Sequence, residues 1–368
     1  NFKQALIIDP NSAQIYNNLG NVLNDQGDHE AAIKNYQKAS KIKPNYAEIY
    51  YNMGNALQAK GNLTDAIKSY QKALNIEPSH SEACNNMGTA LNGLGEYEKA
   101  INSYKQAIKI NPSNYDTYYN LGLIQESNDQ PEDAIESFKE VLNINPGNVG
   151  AKHILSALTG QQTPSAPNVY VEGLFDSYAV KFDQSLVEQL KYNVPKLVAD
   201  LVLKHQDGAP LGSIMDLGCG TGLAGVELKD FCQEIVGIDL SKKMLAKARQ
   251  KNVYSKLDHT SIIEYLADAP LDFDLFLSTD VFVYVGELSE VFRLIKSRNK
   301  RHGRLAFSTE HTEKANFFLE ASGRYSHSTS YIESLCNEFD YQLLNFSTID
   351  LRKSGSEFIT GGLYLLEF

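Results

Sequence analysis

Seven residues, Asp216-Leu-Gly-Cys-Gly-Thr-Gly222, have the make-up of a backbone cradle for a ligand. Glycine lets the main chain approach a bound molecule with no side chain between them. The run follows a short apolar strand, Ile214 to Leu217, and precedes a segment with helical spacing, Leu223 to Phe231. The start of such a helix offers free N–H groups to an anion. A second apolar run, Ile235 to Ile238, ends on Asp239, 17 residues after Gly222, where an acid meets the hydroxyls of a ribose. The letters from Gly220 to Gly225 also satisfy G-x-G-x-x-G, so a dinucleotide is one reading. Asp216 argues against it, because a carboxylate beside the glycines repels a pyrophosphate and holds an ammonium group instead. A ligand with a ribose, an amino group and no phosphate fits both acids.

Asp216-Leu-Gly-Cys-Gly-Thr-Gly222 closely resembles the first motif of class I S-adenosylmethionine-dependent methyltransferases, and Val236-Gly-Ile-Asp-Leu-Ser241 resembles their second-strand motif. The resemblance implies S-adenosylmethionine as cofactor, with no metal. It implies a Rossmann-like α/β fold with a seven-stranded sheet in the order 3-2-1-4-5-7-6, whose last two strands are Tyr341 to Ile349 and Gly362 to Phe368. Cofactor contacts then fall on Asp216, Gly218, Cys219, Gly220, Gly222, Asp239, Leu240 and Met244. After a third strand, Tyr254 to Thr260, relatives carry an acid for the adenine amino group. Here Ser261 and Ile262 stand at that point, a departure from the pattern. The stretch Phe175-Asp-Ser-Tyr-Ala-Val-Lys-Phe-Asp183 is similar to a segment that folds over the cofactor as a lid, with Tyr170 and Tyr178 expected at the sulfonium end. An aromatic face favours a cation there, and a lid excludes water.

In open α/β sheets the site lies at the C-terminal ends of the strands. The fourth strand, Phe273 to Thr279, ends on Thr279, a cofactor contact, and on Asp280 and Tyr284, which are expected to face the transferred methyl. The fifth, Leu305 to Ser308, leads to Glu310. Gly323-Arg-Tyr-Ser-His327 is expected as a loop over the pocket, with Arg324 and Tyr325 on the substrate and with Ser330 and Glu333 at capping-box spacing for the helix that follows. A hydroxyl acceptor needs a base, a carboxyl none, and a protonated amine must lose a proton. His327, Glu310 and Asp280 are the candidate bases; His327 ranks first because an unperturbed imidazole titrates near neutrality.

What precedes this half is periodic. Prolines fall at 10, 44, 78, 112 and 146, every 34 residues. Gly20, Gly54, Gly88 and Gly122 share the period, as do Ala32, Ala66, Ala100 and Ala134, and then Tyr36, Tyr70, Tyr104 and Phe138. The pattern resembles the tetratricopeptide repeat, a helical hairpin that stacks into an all-α solenoid. Four full repeats follow a partial one carrying Phe2 and Ala5, so the chain is expected to start inside a longer array. Asn18, Asn52, Asn86 and Asn120 recur on the first helix of each repeat, a row whose carboxamides suit an extended protein or peptide partner. Domain limits are read as 1–158 for the array with a capping helix, 159–168 for a linker stiffened by two prolines, and 169–368 for the methyltransferase domain.

Composition narrows the classes. The 368 residues exceed one ordinary core. A net charge of −11, with no basic excess in either half, opposes a nucleic-acid substrate. No apolar run would span a membrane. Four scattered cysteines without C-x-x-C suit a reducing cytoplasm and indicate neither a disulfide framework nor a zinc site. Three functions stay open: a methyltransferase acting on a protein or peptide recruited by the repeats, a small-molecule methyltransferase whose repeats assemble it with partners, and a repeat adaptor with an inactive cofactor fold.

Overall fold

A computed structural model describes residues 7–179, 182–183, 191–206, 208, 210–354 and 357–368, with the backbone alone at 354. Phe2 and Ala5 lie outside the described residues, as does the first part of Ser185 to Lys204, a stretch whose sequence predicts a helix interrupted near Pro195. The chain forms two compact units, Asn1–Ala151 and Lys152–Phe368, a division earlier than the one read from the sequence. Among the described residues no helix is long and apolar enough to cross a membrane.

The first unit is a run of antiparallel helix pairs: Ala13–Asp25 with His29–Ile42, Ala47–Ala59 with Leu63–Ile76, Ser81–Gly93 with Tyr97–Ile110, and Tyr115–Ser127 with Pro131–Ile144. The recurring glycine and aromatic explain each other. A Cβ on Gly20 or Gly54 would stand 2.5 Å from the ring of Tyr36 or Tyr70. The first helix of each pair therefore needs a bare backbone where the second inserts its ring, and these rings are wholly buried. Each tyrosine hydroxyl then meets the residue after the glycine. Tyr36 donates to Asn21 (2.7 Å), Tyr70 donates to Asn55 (2.8 Å), and Tyr104 pairs with Thr89 (3.2 Å). In the fourth repeat Leu123 holds that position, and Phe138, which has no hydroxyl, replaces the tyrosine.

The second unit is built on one sheet. Its strands are β1 (Leu211–Leu217), β2 (Cys232–Asp239), β3 (Lys256–His259), β4 (Leu275–Ser278), β5 (Arg304–His311), β6 (Phe317–Leu319), β7 (Tyr325–His327), β8 (Gln342–Ser354) and β9 (Glu357–Glu367). β3, β2, β1, β4 and β5 are parallel neighbours in that order, and β9 then β8 complete the sheet antiparallel. This is the expected seven-strand order, with β8 and β9 as its last two. Two short strands enlarge it to nine. β5 outlasts β4, and β7 pairs with the overhanging Glu310 and His311, backed by β6. The segment expected as a loop is thus a strand.

Both faces of the sheet are covered, so the central strands are apolar along most of their length, with buried polar residues such as Asp216, Ser308 and Glu310 towards their C-terminal ends. Side chains alternate between two cores. Met215, Leu217, Phe276 and Phe307 join one, while Ile214, Leu275, Leu277 and Ala306 join the other. The helix Val194–Lys204, with Pro195 in its first turn, covers the second core.

Residues 152–158 of the helix Val149–Leu158 belong to the second unit. There His153 Nε2 bonds Gly323 O at 2.8 Å, and Ala157 packs with Ala166, Val171 and Tyr325. The segment read as a linker is sewn to the same unit. Leu319 N donates to the Gln162 side chain (2.6 Å), Thr163 meets the Tyr325 hydroxyl (2.6 Å), and Ala166 N donates to Tyr284 O (3.0 Å).

Candidate active site

A cavity of about 520 Å³ opens at the C-terminal ends of β1, β2 and β4. That size suits a small ligand with a few fixed polar contacts. Its floor is the glycine turn. Gly218, Gly220 and Gly222 have φ of 77°, 53° and 87°, left-handed values that a side chain resists. Gly220 faces open space, whereas a Cβ on Gly218 would strike Val281 at 2.6 Å. Gly218, Cys219 and Gly220 line the cavity. Gly222 does not: it packs against Tyr254 and begins the helix Leu223–Leu228.

The two acids of the motif have different surroundings. Asp239 lines the cavity beside Leu240. One of its oxygens accepts from Gly220 N (2.9 Å) and the other from Ser241 N (2.7 Å), so it staples the turn to the next helix. Burial pushes its carboxyl up to about 6 against those two bonds. Asp216 lies wholly buried beneath the turn and does not line the cavity. Tyr254 donates to its Oδ2 at 2.7 Å, and among the described residues its Oδ1 has no partner. Burial raises it to about 7, with Tyr254 pulling the other way and Asp239 adding to the rise.

At the third-strand end, Thr260, Ser261, Ile262 and Ile263 form one wall. Ser261 is the N-cap of the helix Ile262–Asp268, in a full capping box with Glu264, which explains a serine where relatives carry an acid. Met244 is buried in the core and does not line the cavity.

The helix Asn168–Tyr178 forms a roof, and Val171, Phe175, Tyr178 and Phe182 line it. Tyr170 does not; its ring lies 5.0 Å from that of His153. The roof is pinned by two acids, Asp176 and Asp183, that stand among its aromatics. Asp176 accepts from Ser241 Oγ (2.5 Å) and Lys243 N (3.4 Å), while Asp183 accepts from Thr221 and from Lys251 Nζ (2.9 Å).

The far wall carries Thr279, Asp280, Tyr284, Arg324 and Arg352. Asp280 has a φ of 57°, a strained value for this residue, and its N–H donates to Ser308 Oγ at 2.8 Å. Arg352 Nη1 reaches both oxygens of Asp280 at 3.3 and 3.4 Å, and Arg352 Nη2 donates to Glu310 at 2.6 Å. Arg324 donates to Glu310 (3.3 Å) and to the Tyr284 hydroxyl (2.7 Å), lying over that ring. Burial raises Asp280 to about 6 and Glu310 to about 7, with Arg324 opposing both shifts. Nothing in the sequence marked Arg352: it lies in no motif, and the length of the β8–β9 hairpin brings it here.

His327 is displaced from its expected role. It sits in β7, fully buried, and does not line the cavity. Its Nε2 faces the carbonyls of Val285 (3.1 Å) and Gly286 (2.9 Å), and its ring stacks on Tyr331. Burial drives it down to about 4, so it is neutral at ordinary pH. Tyr325 is likewise turned into the core, bonded to Thr163. The cap of the helix Thr329–Phe339 is Ser328 instead of Ser330, because β7 runs up to His327 and leaves Ser328 as the first residue free to turn.

In the first unit the asparagine row is largely spent between repeats. Asn52 donates to Asn17 (3.2 Å), Asn86 to Tyr51 (3.4 Å) and Asn55 (2.9 Å), and Asn120 to Asn85 (3.3 Å). Asn18, in the first described pair, accepts from Gln14.

Comparison with known proteins agrees with both halves. Tetratricopeptide-repeat families match residues 1–34, 20–61, 47–80, 88–129 and 115–148, and a methyltransferase-domain family matches 210–351. An uncharacterised methyltransferase of Schizosaccharomyces pombe is 24% identical over 156 residues, 37% of this chain and 55% of that one. A ubiquinone biosynthesis O-methyltransferase of Idiomarina loihiensis is 29% identical over 109 residues, 28% of this chain and 45% of that one. The chain spans about half the length of the curated relatives it matches. Among solved structures, the S-adenosylmethionine-bound magnesium protoporphyrin IX methyltransferase of Synechocystis aligns over 54% of this chain and 96% of its own, at 18% identity and a TM-score of 0.41. YrrB, a TPR protein described with an unusual peptide-binding site, aligns over 43% of this chain and 81% of its own, at 23% identity and a TM-score of 0.39. The chain carries tetratricopeptide repeats followed by a methyltransferase domain.

Proposed function

We propose that the second unit transfers a methyl group from S-adenosylmethionine to an acceptor at the Asp280–Tyr284 wall, and that the acceptor belongs to a protein or peptide recruited by the repeats. The observation that carries the cofactor is the bare glycine floor beside Asp239. Gly218 and Gly220 would accept the close approach of the amino-acid portion, and Asp239 has lone pairs left for ribose hydroxyls. Thr260 to Ile263 would flank the base, and the aromatic roof suits a sulfonium. The unpartnered Oδ1 of buried Asp216 fits a site that attracts positive charge. When bound, this group supplies an electrophilic methyl. The protein's work is to orient the acceptor, hold Phe175, Tyr178 and Phe182 over it and keep the cavity dry.

The repeats support a protein partner because stacked arrays present grooves to proteins. A small-molecule acceptor is the second reading. It is favoured by the inter-repeat bonds of Asn52, Asn86 and Asn120, which leave those amides less to offer a peptide backbone.

The test is transfer of labelled methyl into extract of the source organism, split into protein and low-mass fractions, by the whole chain and by Lys152–Phe368. Protein label that disappears without the array supports recruitment. Low-mass label indifferent to the array replaces it with the second reading. Absence of S-adenosylhomocysteine binding would leave a repeat adaptor.

A further inference from the structure

Two guanidiniums, Arg324 and Arg352, line the cavity at the acceptor wall; among the described residues Asp280 is the one carboxylate lining it there, and Glu310, which does not line it, is bonded to both guanidiniums. Among the described lining residues there is no histidine, lysine or glutamate. The acids that could act as bases are already counterions: Arg352 holds Asp280 and Glu310, and Arg324 holds Glu310. His327 points its Nε2 at two backbone carbonyls away from the cavity. A hydroxyl or ammonium acceptor would therefore find no free base among these residues. A carboxylate requires none.

Each guanidinium has five N–H donors in a planar fork that matches a carboxylate. The bonds above engage part of each fork, on the two terminal nitrogens. Beside them the wall carries Thr279, Tyr284 and Val285, and the roof adds the apolar Val171 and the aromatic Phe175. Resting on the methyltransferase reading above, we infer that the acceptor is a carboxylic acid on an apolar or aromatic body, held by Arg324 and Arg352, and that the product is its methyl ester. One carboxylate oxygen forms the new C–O bond as the methyl's C–S bond breaks and its electron pair stays on sulfur. The anionic and cationic charges cancel, a neutral ester and a neutral thioether result, and no proton moves. A dry cavity favours such charge cancellation.

The test uses the full chain with methyl-labelled S-adenosylmethionine and extract of the source organism. Labelled protein and low-mass fractions are each treated with mild alkali, and volatile methanol is counted. An ester releases its label as methanol, and the fraction that does so tells a protein carboxyl from a small acid. Arg352→Gln should raise the acceptor KM by about 10- to 100-fold, the scale of a lost charge-assisted bond. Arg352→Lys should keep part of that affinity, and neither should change S-adenosylhomocysteine binding in calorimetry. Label that resists alkali overturns the carboxylate assignment, as does an unchanged KM in Arg352→Gln, or cofactor binding with no labelled product. Failure of the wild-type chain to bind S-adenosylhomocysteine would instead remove the methyltransferase reading on which the assignment rests.

Discussion

Tyr254→Phe removes the hydroxyl that donates to the wholly buried carboxyl group of Asp216. The ring stays, still packed under Gly222, Gly225 and Gly237, so the change is almost purely the bond to Asp216. Asp216 is wholly buried and its carboxyl is lifted from 3.8 to about 7. Its folded form therefore holds a proton more tightly than its unfolded form, and stability falls as pH climbs from about 4 to about 7. Ionising it inside the fold costs about 4 kcal/mol across that window, at 1.36 kcal/mol per pH unit. Below the window both proteins carry a neutral acid, and losing the hydroxyl removes an ordinary hydrogen bond, about 1 kcal/mol. Above it the wild type keeps a charge-assisted bond that the variant lacks, about 1.5 to 3 kcal/mol, and the variant's Asp216 is pushed higher still. Denaturant unfolding of Lys152–Phe368, followed by circular dichroism at pH 5 and pH 8.5, gives both differences directly. The destabilisation should about double at the higher pH. An equal loss at both values, or a larger one at pH 5, would show that Tyr254 does not support an ionising Asp216.

Three further outcomes follow from contacts already described. Gly54→Ala should lower the melting temperature of the array by overpacking Tyr70, whose ring would lie 2.5 Å from the new methyl, at a cost of about 1 to 3 kcal/mol. Asp176→Ala should weaken S-adenosylhomocysteine binding about tenfold in calorimetry with a smaller effect on unfolding, because it frees the roof from Ser241 and Lys243. His327→Leu should destabilise the second unit by about 1 to 3 kcal/mol, because the Val285 and Gly286 carbonyls lose their partner. In the wild type, the depressed pKa of His327, about 4, means its stabilising neutral form is lost only as pH falls from about 6.5 through 4, so the rate profile should carry no limb from it near pH 6.5.

The parts of the site legible in the sequence are those that backbone conformation dictates. A glycine triplet with left-handed φ, an acid closing a buried strand and a 34-residue period leave marks that no side-chain packing can hide. The roof was also legible as a segment, although its pins are the acids Asp176 and Asp183 beside the aromatics. What the sequence could not convey was direction. Tyr170, Tyr325 and His327 are chemically apt for a pocket, yet each is turned to a neighbour: His153, Thr163, and the Val285–Gly286 carbonyls. One extra strand, β7, decides two of these, because it carries Tyr325 and His327 and buries both. Arg352 shows the converse. It belongs to a hairpin with no motif, and only the antiparallel return of β8 along β9 delivers it to Asp280 and Glu310.

The asparagine bonds of the first unit bear on how such a chain can change over generations. Asn52 reaches back to Asn17 and Asn120 to Asn85, each 35 positions upstream, and the sequence repeats every 34. Each joint thus connects a repeat only to its predecessor. Excise or duplicate one whole period and each donor asparagine meets, at the same separation, the side-chain oxygen of an asparagine or a tyrosine, the two residues that alternate there as Asn17, Tyr51, Asn85 and Tyr119. The donor and acceptor on either side of the splice re-form the joint without a second substitution. Unequal recombination can therefore lengthen or shorten the array in whole units while the glycine–aromatic contact inside every surviving repeat stays as it was. The second unit has no such freedom, because Asp239, Ser241 and Gly220 close on one another only once.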